Sequence, residues 1–177
     1  LIARSEANLA AIARFVGNGQ EFGFLAEVLY EESAPYLVCH TLTNFAWNDE
    51  TRRLYQEVAS RGMEFRNLDT LFGQVLTSRE TLISNRVQSD SRAKGVPPGH
   101  PPLNRFLGFP INQGGRMVGM VGMANRPQRY TRRLAESLEE FFVPYANLIL
   151  ARRHFQERKR VEVALKRGVD GLVVSFM

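Results

Sequence analysis

The sequence predicts one α+β domain in which an antiparallel β-sheet is flanked by helices, with long helices at both ends. Three observations carry this. Two pairs of β-rich runs are each joined by a turn: FGFLAEVLY to PYLVCHTLTN through EESAP, and RFLGFPIN to RMVGMVGMAN through Gln113-Gly114-Gly115. Connections this short join antiparallel strands. Apolar residues at helical spacing precede the first pair (Leu9, Ile12, Phe15, Val16) and follow the second (Leu134, Leu138, Phe141, Tyr145, Leu148, Phe155). At 177 residues the chain fits a single core with terminal extensions, since domains cluster around roughly 100 to 150 residues.

Taken in order, Ser5 caps the first helix and Gly17-Asn18-Gly19 ends it. In the first strand Phe22, Phe24, Ala26, Val28 and Tyr30 share one face, while Glu27 and Glu31 lie beside Leu25 and Leu29 on a second, partly wet face. Asn48, followed by Asp49 and Glu50, starts a helix that runs to about Ser60, because the acidic side chains complement the helix dipole. Asn67 starts another, with Leu68, Leu71, Phe72, Val75 and Leu76 along one side. ETLISNRV reads as a short strand, and the proline-rich SDSRAKGVPPGHPPLNR as a long loop. Gly119 and Gly122 fall on opposite faces of the last strand, where a missing side chain lets a helix pack close.

The final helix is expected from Thr131 to about Leu165, bent at Pro144. Beyond Ala151 it thins to RRHFQERKRVEVALKR, an exposed basic helix. GVDGLVVSFM then breaks with glycine and turns β-like, as the start of a following domain would.

Composition limits the chemistry. A hydrophobic fraction of 44% with 23% charged residues is ordinary for a globular domain and excludes disordered and collagen-like classes. No apolar run approaches the roughly 18 residues that span a bilayer, and LIARSEANLA lacks the pattern of a signal peptide. The expectation is therefore a cytoplasmic chain without membrane insertion. Cys39, the single cysteine, excludes an internal disulfide and reads as a buried thiol in a strand. His40, His100 and His154 fall in unrelated elements, without metal-ligand spacing on one helix. The net charge of +5 is local, because residues 126–167 carry 11 basic and 5 acidic residues whereas residues 1–125 carry 12 of each, and Asp170 removes one. That basic helix reads as a solvated linker and not a nucleic-acid site, since Glu157 and Glu162 interrupt it.

The order of elements, together with PYLVCHTLTNFAWNDETRRLY, GMEFRNLDTLFGQVLTSRETLISN and GVPPGHPPLNRFLGFPINQGGRMVGMVGMANRPQRYT, resembles the GAF family of bacterial sensor proteins over roughly Ser5 to Phe155. The resemblance implies a GAF-like, profilin-like and PAS-related fold, with helices on one side of the sheet and a small-molecule pocket on the other. It also implies a homodimer through the terminal helices and an output domain in the same chain, such as a histidine kinase or diguanylate cyclase. On this reading residues 5–155 are the sensory domain, and residues 156–177 are a basic linker helix and the start of a following domain.

Three branches of the family can be compared with these residues. Asn125-Arg126 and Tyr130 resemble the start of the cyclic-nucleotide signature, but Ala135-Glu136 stands where Asp-Glu occurs in that branch. Branches that reduce free methionine sulfoxide use several cysteines, and Cys39 has no resolving thiol in this chain. Cys39-His40 copies the dipeptide of bilin-binding members, in an early strand and not in their later helix region.

A pocket under the loops would be lined by Phe45, Trp47, Phe65, Phe72 and Phe109, because ligand sites are mostly apolar with a few polar anchors. Arg66, Asn67, His100 and Arg105 could anchor an acidic or aromatic ligand, the arginine fork being suited to a carboxylate or phosphate. The alternatives are that the aromatics fill the core, that Asn67 caps a helix, and that His100 bonds the loop backbone. No cofactor is identified, and no set of residues assembles a catalytic site. The expected function is a non-enzymatic sensor of an unknown small molecule; a ligand-free dimerisation and spacer module is the alternative.

Overall fold

In a computed structural model, which describes residues 22–32, 34–42, 49, 52–53, 63–96, 100 and 102–174, six strands form one sheet. They are β1 (Phe22–Glu31), β2 (Ala34–Leu42), β3 (Glu64–Phe65), β4 (Leu82–Ser84), β5 (Phe106–Gln113) and β6 (Arg116–Ala124). The order is β3-β2-β1-β6-β5-β4, and all pairings are antiparallel. The helices are α1 (Leu71–Ser78) and α2 (Arg132–Val174), and a single 3-10 turn spans Val87–Ser89. The expected first helix lies outside the described residues. So does most of the helix expected at 48–60, of which Asp49, Arg52 and Arg53 are helical.

Both hairpins form as their turn chemistry requires. Gly114 and Gly115 have φ of 57° and 74°, the paired left-handed conformations that match the twist of a two-residue hairpin. In the first hairpin Leu25 faces Thr41 while Ala26 faces Cys39, so His40 is the extra residue of a β-bulge. That places Val38 and His40 on the same side as Glu27.

The sheet separates two cores. On its front, Ala26, Val28, Leu37, Phe106 and Met120 pack with Leu71, Val75 and Leu76 of α1. On its back, Leu25, Leu107, Phe109, Val121 and Met123 pack against Phe142, Tyr145, Ala146 and Ile149 of α2. Each such side chain removed from water contributes roughly 1.5–3 kcal/mol, so the two layers are held by apolar burial on both sides. Gly119 allows the close approach of α2: a Cβ there would lie 2.6 Å from Ile149 Cδ1 and 2.7 Å from Ala26 O. At Gly122, on the front, a Cβ would overlap the Phe24 ring, so this glycine makes room for an aromatic side chain and not for a helix.

Four expectations are corrected. Helix α1 begins at Leu71, because Thr70 is its cap and accepts from Gly73 N at 3.1 Å, while Asn67 Oδ1 accepts from Asp69 N at 3.0 Å in a turn ahead of the helix. The backbone of α2 stays helical through Gly168 to Val174 instead of becoming β-like. One glycine costs a helix only about 1 kcal/mol relative to alanine, and propagation from a formed helix is easy. Of the stripe expected on α2, Tyr145 is buried and Leu134, Leu138 and Leu148 pack part-buried against the core beside Ala135, Phe142, Ala146 and Ile149, but Phe155 lies beyond the sheet and is 49% exposed. Finally, the face of β1 that carries Glu27 is covered by α2, and Glu27 is buried.

Candidate ligand cavity and its link to the C-terminal helix

A cavity of about 650 Å³ opens on the front of the sheet, within the size range of small-molecule sites. Gly23, Gly122 and Ala124 give it a floor of small residues, with Phe24 rising from β1 and Phe106 from β5. Phe65 of β3 and Phe72 of α1 form one wall, and the loop residues Val87, Ala93, Val96, His100 and Leu103 close the other. The rings of Phe24, Phe65 and Phe72 follow one another at centroid distances of 5.0 Å, in the tilted arrangements that ring quadrupoles favour.

The loop is pinned to the sheet through Asn125. This residue adopts φ 62°, accepts from Asn104 N at 2.7 Å, and donates from Nδ2 to Pro102 O at 2.6 Å. Asn85 ties the end of β4 to the entry of α2, donating to Tyr130 O at 2.9 Å and accepting from Tyr130 N at 2.8 Å. Asp90, beside Ser84, is held well below the usual carboxylate range by hydrogen bonds from Arg92, which outweigh its partial burial.

Of the residues expected to form a pocket, Phe65, Arg66, Asn67, Phe72 and His100 line this cavity. Phe45 and Trp47 lie outside the described residues. Phe109 is on the other face: strand alternation that brings Phe106 to the front sends Phe109 to the back, where its ring lies 5.3 Å from that of Phe142. Arg105 does not reach the cavity either; its guanidinium donates to Arg126 O at 3.1 Å and supports the turn after β6. Arg66 lines the cavity but is engaged elsewhere. It donates from Nε to Glu64 at 2.8 Å and from a terminal nitrogen to Glu31 at 2.5 Å, and it lies 4.1 Å above the Tyr36 ring. Those two carboxylates hold the guanidinium above its usual pKa.

Sequence reasoning missed a polar network on the back of the sheet. Glu27 of β1 accepts from Arg153 Nε of α2, and its other oxygen lies 2.8 Å from His40 Nε2. Arg153 also donates to Val28 O at 2.6 Å and Val118 O at 3.3 Å, while Arg152 lies 2.9 Å from His40 Nδ1. Arginine can only donate, so His40 Nδ1 accepts and its Nε2–H donates to Glu27. Burial pushes the Glu27 carboxyl up, but hydrogen bonds from His40 and Arg153 and the charge of Arg153 outweigh this and hold it below the usual value. The available signal was Glu27 on a face that Gly119 predicted a helix would cover; a buried carboxylate there requires a cation from that helix. Cys39, part-buried in β2, directs its thiol at Leu25 O at 3.7 Å.

Among the described residues no group of three metal-binding side chains is assembled, and no helix is long and apolar enough to cross a membrane.

Residues 6–149 match the sequence profile of the GAF domain. A curated relative, the methyl sulfide methyltransferase-associated sensor of Methanosarcina acetivorans, is 27% identical over 152 residues, which cover 84% of this chain and 14% of that protein. The chain thus spans about a seventh of the relative's length. Solved structures share the fold at low identity. The type II free methionine-R-sulfoxide reductase of Thermoplasma acidophilum superposes with a TM-score of 0.60 at 10% identity, covering 83% of this chain and 93% of that one. The GAF domain of an Acinetobacter phosphoenolpyruvate-protein phosphotransferase gives 0.59 at 15% identity, covering 86% and 85%. That of a two-component sensor histidine kinase from Bacillus halodurans gives 0.59 at 12%, covering 88% and 98%.

Proposed function

Because the chain belongs to the GAF domain family, we propose that it is the regulatory sensor module of a larger signalling protein. It binds a small molecule in the front cavity and passes the event through α2 to an output domain such as a histidine kinase or diguanylate cyclase. The observation that carries this reading is the double use of β1. Gly23 and Phe24 line the cavity, while the next residues on the opposite face, Leu25 and Glu27, are held by α2. A ligand that favours one position of β1 therefore favours one seating of α2, and such differential binding is what a relay requires. The curated relative is itself named as a sensor, which supports the same class of role.

The module acts in the cytoplasm as a homodimer through its terminal helices. Phe155, Val161, Val163 and Leu165, exposed on α2 beyond Arg153, are the side chains available to a second copy. It does no chemistry of its own. The methionine sulfoxide reductase it resembles in fold is an enzyme, but Cys39 is the single cysteine here and a disulfide cycle within the chain needs two.

Native mass spectrometry of freshly purified protein tests the reading. The expected result is a dimer carrying a small molecule in stoichiometric amount, which on re-addition raises the melting temperature. At a hundredfold excess over its Kd, such a ligand stabilises the fold by about 2.7 kcal/mol. An empty chain whose melting temperature responds to no candidate compound would contradict it and favour a ligand-free dimerisation and spacer module.

A further inference from the structure

The proposed sensory cavity also constrains the chemistry of its ligand. We infer that it takes an uncharged, planar, largely apolar ring compound, and not an anion such as a nucleotide phosphate or a carboxylate; this rests on the sensory reading of the same cavity.

The first ground is shape. Gly23, Gly122 and Ala124 project almost nothing from the floor, and the Phe24 ring lies over Gly122 in the room that glycine leaves, so the cavity presents an aromatic surface continued by Phe65 and Phe72. A flat ring system can meet this row edge-on or offset, the geometries aromatic pairs prefer. The second ground is charge. Arg66 is the residue whose fork would suit an anion, yet both sides of that fork already hold carboxylates, and its face covers Tyr36. An anion recruiting it would have to compete with Glu64 and Glu31, whose charges oppose the newcomer. A cation fares no better, because Glu64, the one carboxylate among the described lining residues, is paired with Arg66. Among the described lining residues, no charged side chain besides the paired Arg66 and Glu64 would replace the hydration an entering ion loses. Gln88, whose Nε2 lies 3.5 Å from Asn104 Oδ1, and His100 line the loop side of the cavity.

The test compares two fluorescent probes with the same anilinonaphthalene skeleton, neutral N-phenyl-1-naphthylamine and anionic 8-anilinonaphthalene-1-sulfonate, titrated into the full 177-residue chain. The inference expects the neutral probe to bind once per chain and about tenfold or more tighter than the sulfonate, a gap of about 1.4 kcal/mol. Phe72→Ala should weaken the neutral probe about tenfold, and Phe72→Leu, which keeps the bulk and guards against a folding defect, less than about threefold. Arg66→Gln should leave its affinity within about threefold. Equal or tighter binding of the sulfonate, lost in Arg66→Gln, would overturn the ligand class while leaving the sensory cavity intact. Binding of neither probe would overturn both.

Discussion

Glu27 on β1 and Arg153 on α2, 126 positions apart in the chain, form an ion pair in which the carboxylate side chain is 6% exposed and the guanidinium 32%. It joins the strand that borders the cavity to the helix that leaves the domain. His40, 7% exposed, completes the carboxylate's partners from the β2 bulge.

Removing one partner leaves the other desolvated without compensation. Arg153→Met is expected to destabilise the fold by about 2–4 kcal/mol in urea unfolding, below the largest values for buried pairs because Arg153 is partly hydrated. Glu27→Gln, which keeps shape and some hydrogen bonding, should cost less. The double variant should cost less than the sum of the two, with a coupling of about 1 kcal/mol or more.

The same pair sets a pH dependence. Glu27 has its folded pKa depressed below the usual value near 4.5, so its stabilising contribution is present above that value and is lost as pH falls through the folded one. Asp90, depressed by Arg92, acts in the same direction. Stability should therefore fall as the solution is acidified below about pH 4.5, and Glu27→Gln should make that fall shallower. An acid limb of unchanged slope in the variant would exclude Glu27 as a contributor.

Gly119 sets the distance between sheet and helix. A methyl group there meets Ile149 Cδ1 and Ala26 O, so Gly119→Ala should destabilise by about 1–3 kcal/mol through overpacking. Ile149→Val in the same chain removes the Cδ1 atom and should recover part of the loss, whereas the backbone contact at Ala26 remains. Thermal melts of the single and double variants measure this.

Phe109 and Phe72 should separate stability from binding. Phe109 is buried between sheet and α2, so Phe109→Ala should cost about 3–5 kcal/mol without removing a cavity wall. Phe72→Ala, at the partly exposed cavity wall, should cost less stability and more neutral-probe affinity. Paired unfolding and fluorescence titrations distinguish the two outcomes.

What could be read from the sequence follows the range of the forces involved. The hairpins were legible because their signals are local: β-rich runs such as FGFLAEVLY, and two glycines at the turn beginning at Gly114. Phe65, Phe72 and His100 were legible as cavity residues because they fall at the sheet edge and in the helix and loop beside it. Phe109 was misjudged because composition marks it as aromatic, while its face depends on its register relative to Phe106. Arg66 was found as a lining residue, but its engagement by Glu31, 35 positions away, has no local signature. The Glu27 network is longer-ranged still, and required knowing which side of α2 faces the sheet.

The central claim is that the cavity on one face of β1 and the helix on the other are coupled. Amide hydrogen exchange, with and without saturating N-phenyl-1-naphthylamine, measures this directly. The account predicts altered protection across the sheet, in β1 and β2 around Glu27 and His40 and in α2 around Ile149 to Arg153, as well as in the cavity lining. Changes confined to β3, α1 and the 87–105 loop, with α2 exchanging as before, would contradict it.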